Sequence, residues 1–155
     1  MLFKFTNFLG MNPSIKFIMG FMLLLFSCAK EGEPISRVPE IKLIQAGPQT
    51  IKAFTDSIYF SIEYLDGDGD IGSNVAEKDN LFVEDTRMGL VYSFRIHQLS
   101  PQGTQPAIKG ILNFSLENTI LSDNKPENVS YKIWLLDQAG NKSNVLNAGP
   151  FEVIQ

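Results

Sequence analysis

The chain of 155 residues holds one cysteine, one histidine and one tryptophan, and each scarcity removes an explanation. A lone Cys28 permits no internal disulfide, so any fold must stand on its core. With only His97, neither a zinc site of the usual His/Cys type nor a cluster of catalytic imidazoles can be assembled. His97 also falls on the polar side of an alternating run, beside Ser93 and Arg95, which is ordinary for a surface residue. Positive charge is in deficit: 13 Lys and Arg against 17 Asp and Glu give a net charge of -4. Such a chain offers no electrostatic footprint for nucleic acid. Glycine-rich phosphate loops are missing too, so an enzyme is not expected.

Long apolar runs are also lacking. The longest, FIMGFMLLLF from Phe17 to Phe26, covers about half of the roughly 20 residues that a spanning helix needs. Lys16 precedes it and Ser27-Cys28 follows, the order of basic, apolar and small residues that marks a secretory signal peptide. Met1 and Met11 are both possible starts, since Met11 to Cys28 is a complete leader by itself.

Leu25-Phe26-Ser27-Cys28 resembles a bacterial lipobox, although Phe26 stands where a smaller residue is common. The resemblance implies cleavage after Ser27 and acylation of Cys28, with palmitate among the chains, so that a lipid anchor holds the protein to the membrane. Ala29-Lys30-Glu31-Gly32-Glu33 resembles the lysine-then-acidic tether of Bacteroidetes-type lipoproteins. That implies an outer-membrane address, the cell surface slightly ahead of the periplasmic face. Residues 1–27 are thus expected to be a signal helix and 28–39 a flexible tether with two prolines.

From residue 40 onward the pattern is short and alternating. Ile58, Phe60, Ile62 and Tyr64 share one face of Ser57–Leu65, opposite Ser61 and Glu63. Leu90–Leu99, Ile111–Glu117 and Val129–Leu136 alternate likewise, and Ile41–Gln45, Leu81–Glu84 and Gly149–Ile154 are shorter candidates. Turn residues separate all of them. About seven short strands predict an antiparallel β-sandwich over residues 40–155. Val129–Ser143, VSYKIWLLDQAGNKS, resembles the penultimate strand and turn of bacterial Ig-like domains at Asp137, Ala139, Gly140, Asn141 and Ser143. The mature chain is similar to small single-domain Ig-like lipoproteins of the Bacteroidetes type. That resemblance implies an Ig-like or fibronectin-III-like fold and little about activity.

One stretch could carry chemistry. In Asp66-Gly67-Asp68-Gly69-Asp70 three carboxylates alternate with glycine, and Asp56 to Asp85 holds nine acids against Lys78 alone. Calcium takes six to eight oxygens, and spaced aspartates in a glycine-rich turn supply them. Asp-Gly pairs also form plain solvated turns, so the acidic hairpin stands as the other reading. Counted as an EF-hand, Asp66, Asp68, Asp70, Gly72 and Glu77 fall at positions one, three, five, seven and twelve. Ile71 then occupies the position that requires glycine, and the preceding segment is a strand. A strand-loop Ca²⁺ site is the better expectation, with Glu77 or Asp137 as candidates to complete it. Trp134, opposite Ile133 and Leu135, is a candidate for stacking on a sugar or protein partner, the usual alternative being that a neighbour covers it. The expected function is therefore that of a non-enzymatic, lipid-anchored envelope protein serving as a binding or scaffold module. An accessory carbohydrate- or ligand-binding lipoprotein is the alternative, with an envelope protein or glycan as partner.

Overall fold

A computed structural model describes residues 34–155 apart from 102 and 118. The expected signal helix and the acylated Cys28 lie outside the described residues. Residues 34–155 form one compact unit. Its eight strands are β1 (Glu40–Gly47), β2 (Thr50–Lys52), β3 (Ile58–Asp66), β4 (Leu81–Asp85), β5 (Leu90–Phe94), β6 (Ile108–Leu116), β7 (Glu127–Leu135) and β8 (Leu146–Ile154).

These strands make two sheets, one ordered β1-β3-β6 and the other β2-β8-β7-β4-β5. The chain crosses between sheets after β1, β2, β3, β5, β6 and stays within one only from β4 to β5 and β7 to β8, as expected of an all-β sandwich. Every pairing is antiparallel except β2 with β8, which run parallel. The expected antiparallel sandwich thus holds, with one short parallel pair at the edge of the larger sheet. β2 has only three residues and follows directly on the Gly47-Pro48 turn, so it shows no alternation of its own.

Strand alternation explains the core. Val129, Tyr131, Ile133 and Leu135 of β7 are completely buried, as are Ile58 and Ile62 of β3. Phe60 ties the two layers together. Its ring stacks on Phe114 of its own sheet at 5.0 Å and meets Tyr131 and Phe151 of the other edge-on, both at 6.1 Å. Burying one such side chain contributes about 2–3 kcal/mol, and the edge-on geometry adds to it.

β5 ends five residues short of the expected Leu99. Beyond Phe94 the buried Asn80 takes over the role of a neighbouring strand. Its side-chain oxygen accepts from the Ile96 amide at 2.6 Å, and its amide donates to the Ile96 carbonyl at 3.1 Å. The Ser73 amide also donates to that carbonyl, and the Leu99 amide to Ile71. The segment is thereby carried off the sheet edge and laid across the loop that follows β3, which brings that loop to a fixed place.

Residues 34–39, expected as free tether, partly rest on the domain: the Gly67 amide donates to the Ser36 carbonyl at 2.8 Å, and Pro39 is buried.

Candidate metal centre

β3 delivers Asp66 as its last residue. The alternation that turns Ile58, Phe60 and Ile62 inward also turns Asp66 inward, and it is completely buried. The chain then turns tightly. The Asp70 amide donates to Asp66 Oδ2 at 2.9 Å, closing a loop of five residues around the Gly-Asp-Gly segment. The glycines answer to space as much as to flexibility. Gly69 has φ +65°, and a Cβ there would run into the Pro106 carbonyl; Gly72, at φ +91°, is pressed in the same way against the His97 carbonyl.

The second half of the site comes from the β7–β8 turn. Ile71 forms an isolated bridge with Asp137. The Gln138 amide donates to the Asp70 carbonyl at 3.1 Å, and the Ala139 amide to Asp70 Oδ2 at 3.1 Å. Asp137 therefore does lie at the same end of the sandwich as the aspartate loop.

Three carboxylates converge there. One oxygen from each of Asp66, Asp68 and Asp70 lies within 4.8 Å of the others. With Asp66 Oδ2 and Asp70 Oδ2 engaged by backbone amides, Oδ1 of all three residues is buried and has no hydrogen-bond partner. Buried polar atoms are almost always paired, so a shared set of orphaned anionic oxygens suits a cation. The electrostatics agree. Burial, with the charges of Asp68 and Asp70 added, pushes the Asp66 carboxyl up to about 6. Burial and the charges of Asp137 and Asp68 raise Asp70 as well. This cluster could hold a metal ion.

The other candidates stand differently. The Gly72 carbonyl, the loop-position-seven oxygen of the EF-hand count, accepts from the Gln138 side-chain amide at 2.9 Å. Glu77 is exposed and falls outside the cluster. Asp137 is buried beside the cluster, and both of its oxygens accept from Asn141, at 2.7 Å from the amide and 2.8 Å from the side chain. Its charge acts on Asp66 and Asp70, while its own hydrogen bonds close the turn. Trp134 lies on the outer face of the five-stranded sheet with its ring already occupied. Phe82 stacks on it at 5.6 Å, and Lys142 Nζ stands 4.2 Å from its centre. His97 is exposed, and the structure brings no acid-base partner to it by any hydrogen bond among the described residues.

A second charged cluster escaped the sequence reading. Asp85, completely buried at the end of β4, is held by Arg87 through Nη2 at 2.5 Å and Nε at 3.0 Å. Arg87 Nη1 lies 2.8 Å from Glu127, and Nη2 also donates to the Ile120 carbonyl. The signal was available: Leu81, Val83 and Asp85 alternate onto one face, which puts Asp85 inside. The bidentate grip of Asp85 raises the Arg87 pKa further. The cluster holds the β4–β5 turn to the start of β7; Arg87 Nη1 is paired there only by charge with Glu127 and makes no hydrogen bond.

Among the described residues no helix is long and apolar enough to cross a membrane. Comparison with known proteins adds nothing further: no family model matches the chain, and neither a curated protein nor a solved structure is significantly similar to it.

Proposed function

We propose that this protein is a lipid-anchored envelope module whose β-sandwich carries a Ca²⁺ ion at the tip of β3. The observation that carries the cation is the trio of buried, unpartnered oxygens on Asp66, Asp68 and Asp70. All three donors are hard carboxylate oxygens and no His or Cys among the described residues joins them, which selects a hard cation over zinc or copper. A flexible, glycine-rich loop that brings in three aspartates suits the irregular, oxygen-rich shell of Ca²⁺ better than the strict octahedron of Mg²⁺. The ion's part is structural. It would neutralise a charge cluster that otherwise repels itself and brace the loop that follows β3. The lipid anchor and the envelope address rest on the leader and on Leu25–Cys28. The role proposed for the module is binding or scaffolding.

The test is thermal unfolding of the chelated protein against added Ca²⁺. At a free concentration one hundred times Kd the ion should stabilise by about 2.7 kcal/mol, a rise of several degrees in Tm. In Asp66→Asn that rise should vanish, while the chelated variant melts no lower than chelated wild type because one buried charge is gone. An unchanged Tm for wild type at millimolar Ca²⁺ would end the proposal.

A further inference from the structure

The outer face of the three-stranded sheet has an open aromatic ring that Trp134 does not provide on the other sheet. Register sets Gly47 of β1 and Ser115 of β6 on either side of Tyr59 in β3. Neither neighbour is large enough to cover a ring, and Tyr59 is 64% exposed. The next outward row along the same strands is Gln45, Ser61 and Asn113. These two rows line one open groove of about 800 Å³. None of the residues lining it is charged, in a chain of which 19% is.

We propose that this groove binds a neutral saccharide, with Tyr59 as the stacking platform and Gln45, Ser61 and Asn113 as the hydrogen-bonding row. A pyranose presents an apolar C–H face that packs on an aromatic ring, and hydroxyls at its rim that both donate and accept. Amide and hydroxyl side chains do both as well, which a charged side chain does not. An anionic ligand would find no counter-charge among these residues. A purely apolar one would strip water from three polar side chains without replacing their hydrogen bonds, at a cost of about 1–3 kcal/mol for each unpaired group. The groove lies at the start of β3 and the aspartate cluster at its end, seven residues apart or about 23 Å. The saccharide proposal is therefore independent of the cation, and either can fail alone.

Calorimetric titration of the full chain in a non-glycosidic detergent tests it, using cellohexaose, xylohexaose, mannohexaose, laminarihexaose and chitohexaose as neutral probes and oligogalacturonate as the anionic one. The expected result is saturable binding of at least one neutral probe at about millimolar concentration or below, weakened about tenfold or more by Tyr59→Ala and by Asn113→Ala. Both positions are on the outer face, so their Tm should stay near that of wild type, and Trp134→Ala and Asp66→Asn should bind as wild type does. No saturable binding of any neutral probe, preference for oligogalacturonate, or binding that survives Tyr59→Ala would overturn the proposal.

Discussion

Asp70 donates its backbone amide to Asp66 across a single turn, and the oxygens that this bond leaves over point into the same buried space. Local geometry thus forces together two groups of like charge that would separate in a free chain. A fold tolerates such an arrangement when something else neutralises it.

The first consequence concerns pH. In the metal-free protein Asp66 holds its proton up to about pH 6, whereas in the unfolded chain it loses it near the ordinary 3.8. Between those values the folded state binds more protons, so this group's contribution to stability is full below 3.8 and is lost as pH rises through about 6. Chelated wild type should therefore lose stability between pH 5 and 7.5 relative to chelated Asp66→Asn, measured by Tm in parallel buffers. A Ca²⁺ ion bound as proposed would compete with the same proton, so the Ca²⁺-induced rise in Tm should be large at pH 7.5 and small at pH 5.

Gly72 offers a steric test of the same loop. Alanine there must adopt a left-handed φ and also displace the His97 carbonyl, so Gly72→Ala should destabilise by about 2–4 kcal/mol. Gly140 has a similar φ, +90°, but open space around it, and Gly140→Ala should cost only about 1–2 kcal/mol. Urea unfolding of the two variants separates the conformational part from the clash.

At the other end of the sandwich, Arg87→Leu would leave Asp85 buried without its cation. A loss of about 3–5 kcal/mol is expected by urea unfolding, whereas Asp85→Asn/Arg87→Leu together should recover part of it. Equal loss in the single and double variants would show that packing of the Arg87 stem, and not the charge, is what matters.

Cys28→Ser tests the anchor. The substitution should shift the protein from the membrane to the soluble fraction and abolish labelling by a palmitate analogue in cells. Full retention of the serine variant on membranes would rule out acylation at Cys28.

Much of the fold was legible because strand alternation is a local property. Ile58, Phe60 and Ile62 announce β3, and Val129, Tyr131, Ile133 and Leu135 announce β7, whatever they pack against. Apolar periodicity continued past Phe94 to Ile96, yet there Asn80 replaces a strand neighbour from outside the segment, which no local pattern records. β2 was missed for a related reason: its three residues become a strand only because β8 lies alongside.

The candidate site divides the same way. By itself the sequence determined that three carboxylates sit within five residues between glycines, since spacing is covalent and glycine alone allows so tight a turn there. Only the tertiary structure decided which other groups join them. It brought Asp137 beside the loop and tied its oxygens to Asn141, left Glu77 in solvent, turned the Gly72 carbonyl to Gln138 and covered Trp134 with Phe82 and Lys142. It likewise left the ring of Tyr59 bare, because the strands on either side place Gly47 and Ser115 opposite it. Apart from the local bonds of Asp137 to Asn141, these depend on a partner dozens of residues away or on the register between strands, and both are set by packing of the whole sandwich.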